Sequence, residues 1–139
     1  LIRRRNIPTI KGNYDASVVD GDFTFIRDTS INSFSLPFAV GEVRESNKYY
    51  LDSLPTELNY EFNGVKLKFT HGSPNAINEY LFENGTNTKN VMESLDSDIL
   101  VCAHTHIPSF KKFENKTYIN VGSIGKPKIG VRRYAKFSI

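Results

Sequence analysis

The chain of 139 residues contains no tryptophan, one cysteine and one methionine, and it has no long apolar run. A single cysteine can form neither an intramolecular disulfide nor a thiolate cage around a metal ion. Cys102 lies in the apolar stretch ILVCA, which predicts a small buried side chain rather than a reactive thiol. Because no segment reaches the roughly 18 apolar residues of a transmembrane helix, we expect no membrane partner and a location in the reducing cytoplasm.

The chain also lacks a strong excess of charge of one sign, since its net charge is only +3. Its basic residues form short groups rather than the stripe with interleaved aromatic residues that is typical of nucleic-acid binders. These groups are Arg3–Arg5, Lys111–Lys112, Lys126–Lys128 and Arg132–Arg133. Nucleic acid is therefore not an expected partner. The plainest interpretation is a solvated surface, although the last two groups follow the candidate site closely and could attract a phosphorylated substrate.

Alternating polarity predicts two β-hairpins. The segments LNYEF and VKLKFTH flank Asn63-Gly64, a dipeptide that favours a two-residue hairpin turn. FKKF and TYINV flank a second turn, which we place at Asn115 and Lys116. Residues 98–103 form a continuous apolar run typical of a buried strand, and residues 131–139 alternate like a final strand.

Helical patterns are shorter than these strand patterns. Residues 48–54 predict a helix ended by a proline, and residues 75–95 carry two short helical patterns. Residues 1–6 resemble the end of a basic helix, residues 7–11 resemble a short buried strand, and residues 16–45 have no clean period. The mixture predicts an α/β (α+β) fold, and 139 residues with 39% hydrophobic content suffice for one modest core in a single domain.

All three histidines follow strand-like runs, next to small or turn-forming residues. His71 lies in KFTHGSP, and His104 and His106 lie in VCAHTHIP. Strand ends are common positions for sites in α/β sheets, and imidazole nitrogens bind divalent metal ions. If the strand continues to residue 106, the spacing of two residues places both rings on one face.

Each candidate has an ordinary structural interpretation when it is taken alone. A lone histidine near a strand end is more often a hydrogen-bonded polar group than a ligand. Asn13 alone would be a turn residue, and Asp15 alone would be a helix N-cap. The His-x-His pair favours a metal site, because two imidazoles in one short segment can reach one metal cluster.

Four motifs, GNYD, THG, AHTH and NVGSIGKP, occur in an order and at a spacing that resemble those of the calcineurin-like metallophosphoesterases, especially their small prokaryotic phosphodiesterase branch. The resemblance implies a sandwich of two mixed sheets flanked by helices. It implies these metal ligands: Asn13, His71 and His104 for one ion, and His106 for a second. It counts Asp15 with Asn13, His71 and His104 among the catalytic residues, and it assigns Gly122 and Ser123 to a substrate-binding loop.

The activity that this resemblance implies is phosphoester hydrolysis with two divalent metal ions, manganese first, with iron, nickel or zinc as alternatives. A hydroxide that bridges the metals would attack phosphorus in line, while the cations neutralise charge on the phosphoryl oxygens. The implied substrates are phosphodiesters or phosphomonoesters of small molecules, nucleotides included.

The chain departs from the family pattern at several positions. Ala103 and Val121 replace a usual glycine and proline, and Tyr14 replaces a histidine that many relatives use at the leaving group, which favours esters with good leaving groups. The family's opening Asp-x-His and Gly-Asp motifs have no counterpart before Asn13. Asp22, in a later Gly-Asp pair, is interpreted as a turn residue. We therefore expect an N-terminally incomplete fragment that alone binds metal weakly and hydrolyses little.

One alternative from another class is a metal-poor interaction scaffold of the same fold. In that case the ligand positions would be relics, and exposed aromatic residues such as Tyr49 or Tyr50 would form a docking surface. The presence of Asn13 and all three histidines favours the enzyme, because a scaffold has no chemical need for them.

Overall fold

The structure is a computed structural model that describes residues 1–24, 32–130, 134–136 and 138. The chain divides into two compact units, Leu1–Thr56 and Glu57–Ile139. Within the described residues, no helix is long and apolar enough to cross a membrane.

The first unit is helical. A short 3-10 turn at Arg3–Arg5 is followed by α1 (Asn13–Asp20), α2 (Asn32–Glu42) and α3 (Glu45–Asp52). The basic helix end predicted for residues 1–6 is reduced to the 3-10 turn. The strand predicted at residues 7–11 is wrong, because the described part of this unit offers no neighbouring strand to pair its backbone.

Helix α3 confirms the helix predicted at residues 48–54 but begins three residues earlier. The residue before it, Arg44, is extended, and the first-turn carboxylate of Glu45 pairs with the Lys48 ammonium at 2.9 Å. Helix α2 was not predicted, because residues 16–45 have no clean period, and the helix contains an interior proline, Pro37.

The second unit begins with the predicted hairpin. Strand β1 (Glu57–Phe62) pairs antiparallel with β2 (Val65–Thr70). The two turn residues, Asn63 and Gly64, both have positive φ, 49° and 79°, as a type I′ turn requires. The prediction from the Asn-Gly dipeptide is confirmed.

Three further strands complete one mixed sheet in the order β1-β2-β3-β5-β4. They are β3 (Ile99–Cys102), β4 (Ser109–Phe113) and β5 (Lys116–Asn120). Strands β2, β3 and β5 are parallel neighbours, while β1 and β4 pair antiparallel at the two edges. The hairpin turn lies one residue earlier than predicted, at Glu114 and Asn115, because Lys116 already pairs with Phe113.

Helix α4 (Thr86–Ser94) is the single α-helix in residues 75–95, where two helical patterns were predicted. The apolar core of the unit joins this helix to one face of the sheet. Its members are Leu81, Val91, Met92, Leu95, Leu100, Cys102 and Tyr118. Burial raises the pKa of the Cys102 thiol to about 12, which confirms that this cysteine is an inert core residue.

The strand predicted at residues 131–139 falls partly outside the described residues, and residues 134–136 and 138 are not in a strand. The predicted α/β (α+β) class is confirmed. The described residues form one mixed five-stranded sheet with four α-helices, where the resemblance implied two sheets.

Gly72, directly after β2 and His71, supports the loop that follows by allowing its close approach. A Cβ atom at this position would lie 2.6 Å from the carbonyl oxygen of Ile77 and 2.7 Å from that of Ala76. We expect Gly72→Ala to lower the free energy of unfolding by about 1–3 kcal/mol, because backbone must move to make room. Urea denaturation measures the change.

Gly125→Ala is the matched control, since a Cβ atom there meets nothing within 4 Å. It should change the free energy of unfolding by no more than about 0.5 kcal/mol. Equal effects of the two substitutions would show that the loop does not depend on the close approach at Gly72.

Candidate functional site

The three parallel strands end at one edge of the sheet, and site residues follow each of them. His71 follows β2, the AHTH segment follows β3, and Val121 and Gly122 follow β5. The amide of Ala103 donates to the carbonyl of His71 at 3.0 Å, and the amide of Val121 donates to that of Cys102 at 2.9 Å. The pairing beyond the strands holds the three loops side by side.

His71 and His104 are in direct contact through their rings. Nε2 of His71 lies 3.2 Å from Nδ1 of His104, and Nε2 of His104 lies 3.0 Å from the carbonyl oxygen of Asn78. Because a carbonyl only accepts, His104 carries its proton on Nε2, and its Nδ1 lone pair points at His71. Asn78 therefore sets the tautomer of His104, a role that no motif in the sequence indicated.

The expectation that His104 and His106 share one strand face is wrong. Strand β3 ends at Cys102, and both histidines have left-handed backbone, with φ of 57° and 61°. Two such residues in one tripeptide are strained for side chains with a Cβ atom, and strain of this kind occurs mostly at functional sites. The ring directions follow from this loop and not from strand alternation.

Thr105, between the two histidines, holds the strained loop. It is buried, its amide donates to the carbonyl of Ala103 at 2.6 Å, and its Oγ1 both donates to the carbonyl and accepts from the amide of Ile107 at 3.1 Å. These bonds satisfy the polar groups of a backbone that leaves the sheet.

Asn120, the last residue of β5, connects two of the site loops. Its Nδ2 donates to the carbonyl of Ala103 at 2.5 Å, and its Oδ1 accepts from the amide of Gly122 at 3.0 Å. Gly122 has φ of 70°, and a Cβ atom there would lie 3.1 Å from the ring of Pro108. The amide of Asn120 thus spans from the AHTH loop to the loop that contains Gly122 and Ser123.

All three histidines are biased toward the neutral form. Burial, followed by the charges of His104 and His106, lowers the pKa of His71 to about 4. Burial is also the main cause that lowers the pKa of His104 and that of His106. Neutral imidazole is the form that binds a metal ion.

His106 contributes a second feature of the site. Its Nδ1 is buried and finds no hydrogen-bond partner among the described residues. The amide of Lys128 donates to its carbonyl at 3.1 Å, and the charges of Lys128 and Lys126 lower its pKa further, against a backbone hydrogen bond with Lys126 that raises it. A buried imidazole nitrogen without a hydrogen-bond partner fits a residue that binds a metal ion.

Asn13 and Asp15 belong to the helical unit. Asn13 is buried and begins α1. The N-cap of α1 is Gly12 and not Asp15; Asp15 is the third residue of the helix, and its carboxylate accepts from the amide of Gly12 at 2.8 Å. Ser123 accepts from the amide of Lys126 at 2.9 Å, so its hydroxyl shapes the loop after β5. Asp22 is a turn residue as expected, because it accepts from the amide of Thr24 at 2.9 Å.

The histidines fit part of a metal shell. Nitrogen–metal bonds of 2.0–2.1 Å place adjacent ligand nitrogens about 3.0–3.4 Å apart, which matches the 3.2 Å between His71 and His104. A histidine ligand commonly donates its other N–H to a carbonyl, as His104 does to Asn78. Within the described residues no group of three or more His, Cys, Asp or Glu side chains is arranged so that it could hold a metal ion.

Asn120→Ala should lower the free energy of unfolding by about 1–3 kcal/mol, because it leaves the Gly122 amide without its partner and removes one of the two donors to the Ala103 carbonyl. Asn115→Ala, at the exposed turn between β4 and β5, is the control and should cost no more than about 0.5 kcal/mol. Chemical denaturation measures both variants, and a cost below 1 kcal/mol for Asn120→Ala, on the order of a single surface change, would exclude the bridging role.

The metal-free protein should lose stability as the pH falls below 6.5, the pKa that His71 has when unfolded, toward its folded pKa of about 4. In this window the unfolded state binds the proton more readily, so each step down in pH favours unfolding. Denaturation with EDTA at several pH values measures the slope. His71→Gln should flatten it between pH 6.5 and about 5, above the range in which carboxylates titrate; an unchanged slope would contradict the lowered pKa.

Residues 1–139 match the family model of the calcineurin-like phosphoesterase superfamily domain. The chain is 27% identical over 150 aligned positions to an uncharacterized protein of Methanocaldococcus jannaschii, an alignment that covers 96% of this chain and 60% of that protein.

Two solved structures are similar in fold. A metallophosphoesterase from Sphaerobacter thermophilus aligns with a TM-score of 0.66 and 20% identity, over 85% of this chain and 55% of its own. A hypothetical protein from Pyrococcus horikoshii aligns with a TM-score of 0.74 and 17% identity, over 89% of this chain and 54% of its own. The chain thus spans between 54% and 60% of the length of these relatives. The resemblance inferred from the four motifs is confirmed, and the chain belongs to the calcineurin-like phosphoesterase superfamily.

Proposed function

We propose that the full-length protein is a metal-dependent phosphoesterase that hydrolyses a phosphodiester or a phosphomonoester. The observation that carries this proposal is the contact of 3.2 Å between His71 Nε2 and His104 Nδ1, where parallel strands end. The carbonyl of Asn78 directs the free lone pair of His104 toward that point. Membership of the phosphoesterase superfamily supports the same reaction class.

The proposed metal ligands are those that the family implies: Asn13, His71, His104 and His106. Two divalent cations, manganese first, with iron, nickel or zinc as alternatives, would supply Lewis acidity toward the phosphoryl group and the attacking water. Burial lowers the pKa of each histidine, which favours the neutral imidazole that binds a metal ion.

The surrounding groups would bind and orient the substrate. Lys126 and Lys128 lie close enough to His106 for their charges to lower its pKa, and the same field would attract a phosphate. Gly122 and Ser123 are the proposed substrate-binding loop, and Asp15 would act indirectly by ordering the start of α1 beside Asn13. Arg132 and Arg133 lie outside the described residues.

In the proposed hydrolysis, the oxygen of water forms the new P–O bond, the P–O bond to the leaving alcohol breaks, and the alcohol departs with a proton from the water. Tyr14, in place of the family's histidine, favours esters with good leaving groups. We propose a phosphorylated small molecule or a nucleotide as substrate, and a cytoplasmic location.

The test is hydrolysis of bis(p-nitrophenyl) phosphate by the full-length protein with added manganese, together with metal content by elemental analysis. His104→Ala and His106→Ala should each lower kcat/KM by at least about 100-fold and reduce the bound manganese. Asn115→Ala, remote at the turn between β4 and β5, is the control and should leave both quantities unchanged.

Activity that persists in EDTA, or that is equal in His106→Ala and the control, would refute the proposal. A folded protein that binds no manganese, nickel or zinc would instead support the metal-poor scaffold. Circular dichroism of each variant separates loss of the site from loss of the fold.

A further inference from the structure

Tyr80 and Phe82 display two aromatic rings beside the histidines. Exposure alternates along this segment: Leu81 belongs to the core and is 1% exposed, while Tyr80 and Phe82 are 40% and 46% exposed. Their rings are parallel to within 5°, with centroids 5.8 Å apart. We call these two rings the aromatic platform.

The backbone beneath the aromatic platform is fixed. The carbonyls of residues 80 to 82 accept, in that order, from Asn87 Nδ2 at 2.7 Å, Tyr118 Oη at 2.6 Å and Thr88 Oγ1 at 2.6 Å. Asn87 and Thr88 belong to the first turn of α4, and Tyr118 belongs to the sheet core. Because three consecutive carbonyls are held by side chains, the outward direction of both rings is built into the fold.

One end of the platform contacts the candidate site. The ring of Tyr80 lies with its centroid 4.1 Å from that of His104, at an angle of 31°. The ammonium group of Lys128 lies 5.6 Å from the centroid of the Tyr80 ring. A ligand that rests on the platform therefore has its other end within reach of the histidines and of a cation.

The other end of the platform borders a cavity of about 460 Å³, within the size range of small-ligand sites. Phe82, Ile107 and Pro108 form part of its wall, and Thr105 and Ile107 place it beside His106. Among the described residues that line it, Glu83 is the only charged one. A carboxylate repels phosphate, so the cavity suits the uncharged part of a phosphoester while the phosphate stays near the lysines.

We propose that the aromatic platform and this cavity bind the nucleobase of a nucleotide-type phosphoester whose phosphate is hydrolysed at the histidines. The inference rests on the proposed function and specifies its substrate class. Two parallel, rigid, half-exposed rings match the flat face of a base, and stacking on an aromatic side chain is worth roughly 5- to 150-fold in affinity. An aliphatic ester would gain little from the same surface.

The chain contains its own control. Tyr60 and Phe62 on β1 repeat the Tyr-x-Phe spacing, with ring centroids 5.9 Å apart, an angle of 19° and exposures of 36% and 51%. Phe62 pairs with Val65 at the start of β2, whereas His71 follows the end of β2. The rings of Tyr60 and Phe62 therefore lie toward the other end of the strands from His71. Replacing Phe82 and, separately, Phe62 removes the same kind of aromatic ring close to the histidines in one variant and far from them in the other.

The first experiment uses the full-length protein with manganese and two diesters that share the leaving group p-nitrophenolate. One is the p-nitrophenyl ester of thymidine 5′-phosphate, and the other is methyl p-nitrophenyl phosphate. We expect kcat/KM to favour the thymidine ester by about tenfold or more, and Phe82→Leu to lower this ratio about five- to tenfold. Phe82→Tyr, which keeps a ring, and Phe62→Leu should preserve it.

The second experiment measures binding without turnover, because it is done in EDTA, which removes the metal that the proposed hydrolysis requires. The fluorescence of 2-aminopurine riboside 5′-phosphate is quenched by stacking and is excited at longer wavelengths than those at which protein aromatic residues absorb. We expect saturable quenching that Phe82→Leu weakens about five- to tenfold and Phe62→Leu leaves unchanged.

The two experiments separate the two proposals. Quenching that depends on Phe82, without hydrolysis of either ester, would uphold the nucleobase site and overturn the proposed function. Hydrolysis of both esters at equal rates, with quenching equal in Phe82→Leu and Phe62→Leu, would uphold the phosphoesterase and overturn the nucleobase site.

Discussion

The parallel pairing of β2, β3 and β5 is the constraint on which the rest of the second unit depends. Parallel strands end at the same edge, so the residues that follow them become neighbours although they lie far apart in the chain. His71 and His104, separated by 33 positions, are thereby brought to a ring contact of 3.2 Å. The antiparallel strands β1 and β4 are the two outer strands of the sheet, so they do not separate the three parallel strands whose ends carry the site.

The loop after β3 has the least favourable backbone conformation of the candidate site. Two histidines with left-handed backbone are unfavourable by themselves, and the bonds of Thr105 and Asn120 hold the segment in place. The same arrangement orients lone pairs: Asn78 fixes the proton of His104, and Nδ1 of His106 is left without a partner among the described residues. The backbone conformation of this loop thus lowers stability, and it orients the nitrogen atoms that would bind a metal ion.

Features set by local rules could be predicted from the sequence. The Asn63-Gly64 turn, the apolar strand β3 and the second hairpin depend on neighbours along the chain, and all were found with errors of one or two residues. Other features depend on distant groups. The segment at residues 75–82 has a helical pattern, yet the carbonyls of residues 80–82 accept from side chains of α4 and the sheet instead. Helix α2 was missed for a different reason, the lack of a clean period in residues 16–45.

The sequence by itself determined the family and the residue types of the candidate site, because the four motifs are short and keep their order. Only the tertiary structure decided how these residues are used. Strand alternation predicted one shared face for His104 and His106, but the backbone leaves the strand before either residue. The tautomer of His104, the bridge at Asn120 and the platform of Tyr80 and Phe82 all arise from contacts across at least 17 positions of the chain or from burial, which no local pattern records.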